Sequence, residues 1–225
     1  MDLVSHDMLN DNQAVQSYLE LILAIQGLDS RAADYARKAV SHVRSSTMRI
    51  ENVKTIVTAR KASAATLGRA DLAEAVKEAC DDLQHMFPSK AIKAKMSTLP
   101  EGATVTGGGL VKELLVTVMA SVVKLDPEKD VQLRVEVAEE AGYGNRGWTV
   151  AIEDPHVKLP AMVKETDIDS VHTKDSSLAS KVSGLLFAKM AADALGGDFD
   201  VQPSGDGDAA RGAIFVLKLR RAGSR

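Results

Sequence analysis

The stretch Ser5-His6-Asp7-Met8-Leu9-Asn10 opens an amphipathic segment that runs on through Tyr18-Leu19-Glu20-Leu21-Ile22-Leu23. Val4, Met8, Val15, Tyr18, Ile22 and Ile25 recur at spacings of three, four and seven, the period of one helix face. With Met8, Val15 and Ile22 at heptad position a, residues His6, Gln13 and Glu20 fall at position f, on the solvent side. An imidazole there is open to react rather than packed into a core. Asp7 can orient the ring or act as a base. Asn10 sits one helical turn on, near enough to bond a phosphate or a water. Asp11 would take a d position, so the apolar stripe is imperfect beside the histidine.

Outward from this helix, Gly27 and Asp29-Ser30 supply a stop, a turn and the next N-cap. A second helical segment is expected from about Ser30 to Ala62, free of Gly and Pro, with Ala36, Val40, Val43, Ile50 and Val57 on one stripe. The first segment carries Asp2, Asp7, Asp11, Glu20 and Asp29 and no Lys or Arg. The second carries eight basic residues against two acids, Asp34 and Glu51. Neighbouring helices of opposite charge suit an antiparallel hairpin. Two rods alone have too little core, so pairing with a second copy into a four-helix bundle is expected.

Ala64 to Arg69 reads as a short linker, dividing the chain into a hairpin over 1–63 and a second domain over 70–225. The pattern then becomes mixed. A helix is expected over Asp71–Met86 and a strand over Ala91–Met96. Gly107-Gly108-Gly109, read as a turn without a clear strand before it, precedes a helix over Leu110–Lys124. Val131, Leu133, Val135 and Val137 alternate with polar residues, as do Trp148, Val150 and Ile152, and glycines between them predict a hairpin. Pro155 to Ser177 reads as a long polar loop. A helix over Leu178–Leu195 and strands over Phe199–Val201 and Ala213–Leu219 finish the chain.

Composition narrows the function. The net charge of −3 offers no field for nucleic acid or an anionic membrane. No apolar run approaches the ~18 residues that span a bilayer, and no signal peptide is evident, so a cytoplasmic location is expected. The single cysteine, Cys80, excludes an internal disulfide and reads as a core residue. His42 and His85 read as helix-surface residues. His156 and His172 lie near Asp154, Asp167 and Asp169 with irregular spacing, read as a polar loop, so no metal site is assigned.

The His6-Asp7 box with Asn10 resembles the phosphoacceptor box of two-component histidine kinases. The order of elements resembles their whole catalytic region, a dimerising hairpin followed by a GHKL-type (Bergerat) ATPase domain shared with gyrases and some ATP-driven chaperones. The resemblance implies an α+β fold: a dimeric four-helix bundle, then an α/β-sandwich. It places the family's asparagine box on the helix Leu114 to Lys124, where Thr117 and Ser121 stand for asparagines. It matches Asp154 to the aspartate that reads the adenine amino group, with His156 where a glycine belongs. Gly184 stands where the Gly-x-Gly loop belongs, and the lid between Pro155 and Leu178 has no Phe and no Gly.

The resemblance implies a signalling protein in which His6, Asp7 and Asn10 are the catalytic residues. Asp154 and Gly184 would be remnants of a cofactor-binding site. The altered boxes imply no tightly bound ATP and a histidine phosphotransferase or kinase-like pseudoenzyme. His6 would exchange a phosphoryl group with the aspartates of response-regulator receiver domains, with Mg²⁺ supplied by the partner. The alternatives are a divergent but active ATP-dependent histidine kinase and a non-catalytic dimeric scaffold. A phosphatase role, with Asn10 or Asp7 orienting water, also fits. Only five residues precede His6, so the chain reads as a fragment of a sensor or a stand-alone protein fed by others.

Overall fold

The computed structural model describes residues 2–61, 67–97, 99–140, 147–157, 176–205 and 212–223. The chain divides into two compact units, Met1–Val57 and Thr58–Arg225.

The first unit is a pair of helices, α1 (Asp2–Leu23) and α2 (Ser30–Lys61). α1 stops three residues short of the expected end. Asp29 caps α2: its carboxylate accepts from the backbone N–H groups of Arg31 at 3.0 Å and Ala32 at 3.1 Å. The helices meet through a stripe of α1 other than the one the spacing singled out. Leu9, Asn12, Gln16, Leu19 and Leu23 are half-buried, and Asn12 Nδ2 donates to Ser46 Oγ and Thr47 Oγ1 at 3.2 and 3.3 Å. Arg44 pairs with Glu20 at 3.3 Å, an expression of the opposite charges of the two helices. On α2, Ala36 and Val40 are buried as expected, joined by Ile56. Met8, Val15, Tyr18, Ile22 and Ile25 stay exposed, from 40% to 68%. The periodicity was real, but α1 has two adjacent stripes and spacing alone does not say which one a neighbour covers.

The second unit is a five-stranded mixed sheet with three helices on one face, and a two-stranded sheet beside it. Its elements are β1 (Arg69–Asp71), α3 (Leu72–Met86), β2 (Ala91–Met96), β3 (Thr104–Thr106), α4 (Gly109–Leu125), β4 (Asp130–Glu140), β5 (Gly147–Asp154), α5 (Ser176–Ala194), β6 (Asp198–Pro203) and β7 (Ala213–Arg220). The large sheet runs β2-β4-β5-β7-β6, with β2 parallel to β4 and the other pairs antiparallel. The hairpin expected between β4 and β5 is present. Its turn, at 141–146, lies outside the described residues, as do 158–175 and 206–211.

The alternation in β4 puts Val131, Leu133, Val135 and Val137 inside. Val150 and Ile152 of β5 join them, with Phe215 and Leu217 of β7. Against them lies α4, buried on nearly every side through Val111, Leu114, Leu115, Val118, Met119, Val122 and Val123. Each such side chain, fully buried, stabilises the fold by about 1.5–3 kcal/mol, which explains why so continuous an apolar run is a central helix. α3 is amphipathic instead, burying Leu72, Val76, Ala79 and Leu83, with Asp71 as its N-cap bonding the Glu74 N–H at 3.0 Å. Lys90 Nζ closes the far end of α4 by donating to the carbonyls of Val123 and Asp126 at 2.8 and 2.7 Å.

Two details differ from the sequence expectation. β1 falls across the end of the expected linker, at Arg69, and the start of the helix expected from Asp71, and no strand is expected ahead of Gly107, where β3 lies; three-residue strands carry too little pattern to register. The glycines after β3 form the expected turn. Gly108 has φ +53, and a Cβ there would run into the Leu67 carbonyl oxygen. Cys80 is half-buried in α3, and burial, with the nearby Asp81 charge, pushes its thiol up to about 11, which keeps it protonated and unreactive. None of the described helices is long and apolar enough to cross a membrane.

Candidate functional site

His6 lies in the second turn of α1 with 69% of its side chain exposed. Its Nδ1 is 3.3 Å from Asp7 Oδ1 and 3.2 Å from Asn10 Nδ2. The helix creates this cluster, since i to i+4 brings Asn10 over His6 while Asp7 follows it directly. Both neighbours address the same nitrogen, and they ask for opposite tautomers. Asn10 donates to an Nδ1 lone pair. Asp7 accepts from an Nδ1–H, and only that tautomer leaves a lone pair on Nε2. In the tautomer that the Asp7 contact favours, Nε2 carries the free lone pair and the carboxylate lies beside the Nδ1–H. The structure thus brings together all three residues singled out for chemistry in this helix.

In the second unit, the positions matched to the nucleotide boxes behave differently. Thr117 and Ser121 are on α4, nearly buried, and both hydroxyls turn back on their own helix. Thr117 Oγ1 donates to the Glu113 carbonyl at 2.9 Å and Ser121 Oγ to the Thr117 carbonyl at 2.7 Å. Neither is aimed at a ligand. Gly184 does not open a helix, as a phosphate-cradling loop requires. It lies inside α5, where a Cβ would overlap Ser121 Oγ. Its missing side chain lets α5 approach α4. As placed, neither Thr117 nor Ser121 offers an amide side chain, and Gly184 packs on Ser121.

Asp154 ends β5 and is fully buried. Its Oδ1 accepts from the N–H groups of His156 at 2.8 Å and Val157 at 3.3 Å. Burial pushes its carboxyl up to about 6, helped by the charge of Asp126 and opposed by those two N–H bonds. Asp126, the C-cap of α4, is 2% exposed, and its Oδ1 accepts from the Glu128 N–H at 2.7 Å. His156 Nδ1 stands 3.5 Å from Asp126 Oδ2. The sequence pointed to Asp154 and His156 but not to Asp126, whose only local signal is an Asp-Pro turn after a helix. The other residues considered for that loop, Asp167, Asp169 and His172, lie outside the described residues.

No family model matches the chain, and no curated protein matches it in sequence. Solved structures do match its fold. The mycobacterial sensor histidine kinase MprB is 14% identical over 69% of this chain and all of its own, with a TM-score of 0.53. The Acinetobacter baumannii histidine kinase AdeS is 13% identical over 96% of this chain and 98% of its own, with a TM-score of 0.53. Full-length ShkA, determined with AMPPNP, matches over all of this chain and 46% of its own, at 15% identity and a TM-score of 0.60. These likenesses show that the chain has the fold of a histidine kinase catalytic region.

Proposed function

We propose that this protein is a histidine phosphotransferase of two-component signalling, carrying a phosphoryl group on His6 between receiver-domain aspartates. The observation that carries the reading is the exposed His6 with Asp7 and Asn10 at 3.3 and 3.2 Å from Nδ1. Nε2 attacks the phosphorus of a receiver's aspartyl phosphate in line, and the carboxylate leaves. The ring becomes an N-phosphorylated imidazolium whose Nδ1–H faces Asp7. Return to a second receiver is the reverse step. Mg²⁺ comes with the receiver's acidic pocket, where it neutralises the phosphoryl oxygens. Transfer between receivers rather than from ATP is supported by the hydroxyls of Thr117 and Ser121, bonded to their own helix, and by Gly184 closing on Ser121.

The working form is a homodimer. The exposed apolar stripe of α1, Met8, Val15, Tyr18, Ile22 and Ile25, is the surface a second copy covers to complete a four-helix bundle. His6 lies away from that stripe, so dimerisation leaves it open to a receiver.

The test is to offer the purified protein γ-labelled ATP with Mg²⁺ and, separately, a panel of receiver domains charged with phosphorus-labelled acetyl phosphate. Wild type and His6→Gln run side by side. Label taken from a receiver and absent in His6→Gln is the expected result. Label taken directly from ATP would replace this reading with an ATP-dependent kinase. Signalling left intact by His6→Gln would make the protein a scaffold.

A further inference from the structure

Where the C-terminus of α4 meets the end of β5, the side chains of Asp126, Asp154 and His156 lie together. Their ligand atoms lie within 4.8 Å of one another, and Asp126 Oδ2, Asp154 Oδ2 and His156 Nδ1 are buried with no hydrogen bond among the described residues. The second oxygen of each carboxylate is held by backbone N–H groups, which fixes its direction. Two carboxylates packed together out of water repel each other, and the nearest donor to their inner oxygens is His156 Nδ1, at a long 3.5 Å from Asp126 Oδ2. Something positive belongs between them.

We propose that Asp126, Asp154 and His156 form a binding site for a divalent transition-metal cation, with Zn²⁺ the best fit. One imidazole and two carboxylates are a borderline donor set that suits Zn²⁺ better than Mg²⁺ or Ca²⁺. The geometry agrees. Two ligands at ~2.0–2.1 Å on a tetrahedral Zn²⁺ stand about 3.4 Å apart, and His156 Nδ1 is 3.5 Å from Asp126 Oδ2. Asp154, with a ligand atom within 4.8 Å of the other two, supplies the third ligand, and water takes the fourth position. The backbone N–H bonds to the outer oxygens supply the orienting contacts that metal-bound carboxylates need. His156 gives the entry path, with its Nδ1 buried while the side chain remains 38% exposed. The role is structural: the ion ties the end of α4 to the end of β5, and it is independent of phosphotransfer at His6.

The full-length protein, stripped with a chelator, is titrated with ZnCl₂ alone by calorimetry, and its thermal midpoint is read with and without the ion. The expected result is one equivalent bound and a raised midpoint. Asp126→Asn and His156→Gln weaken binding by at least about tenfold, while His6→Gln leaves it unchanged. No binding by wild type, undiminished binding by His156→Gln, or loss in His6→Gln would overturn the proposal. Circular dichroism checks that the variants fold. Should they not, Co²⁺ added to wild type decides: visible absorption of a low-coordinate site is expected, and the spectrum of the hexaaqua ion would overturn it.

Discussion

At the residue scale, the proposed chemistry of His6 turns on which proton its ring keeps. Asp7 favours the tautomer with a nucleophilic Nε2, whereas Asn10 competes for the same Nδ1. Asp7→Asn is therefore expected to slow phosphotransfer by about 10²-fold, within the range of positioned acid–base groups. Asn10→Ala is expected to slow it far less, both read in single-turnover transfer from a charged receiver with receiver binding unchanged. Asp154 carries a second prediction. Its folded carboxyl titrates near 6, above its ordinary value of 3.8. A raised carboxyl contributes stability at low pH and loses it as pH rises through about 6. In chelator, the protein should be more stable to urea at pH 5 than at pH 7.5 as far as this group is concerned. Asp154→Asn, whose amide can donate to Asp126 as the protonated acid would, should flatten that difference. The His6 cluster was legible because it is local, three residues within one turn. Asp126 was not, because it reaches Asp154 and His156 only through the packing of α4 against the sheet.

At the element scale, α4 and α5 are joined at one close approach. Gly184 sits on Ser121, and an added methyl overlaps the hydroxyl. Gly184→Ala is expected to destabilise the second unit by about 1–3 kcal/mol, the range for overpacking. Ser121→Ala should recover part of that loss, seen as a non-additive double-mutant cycle in chemical denaturation. The longer elements were legible from period and punctuation: α4 by the glycine turn before it, β4 and β5 by alternation. What escaped were β1 and β3, three residues each, whose pairing is fixed by a partner more than thirty residues away. The stripe of α1 that faces α2 escaped too. A helix with apolar residues on two adjacent faces has one moment, and only tertiary packing divides it between neighbours.

At the scale of the whole molecule, the proposed dimer would cover the exposed stripe of α1 and leave His6 open. Val15→Asp with Ile22→Asp places charge in that seam and is expected to shift the protein from dimer to monomer in sedimentation velocity; a monomer in wild type would count against the bundle. The central claim is phosphoryl exchange between His6 and a receiver aspartate, and it is tested most directly by ³¹P NMR of the protein mixed with a charged receiver and Mg²⁺. As the acyl phosphate signal decays, a phosphohistidine signal should grow, and it should be absent with His6→Gln. Decay to inorganic phosphate alone, or a phosphohistidine signal that survives His6→Gln, would contradict the account.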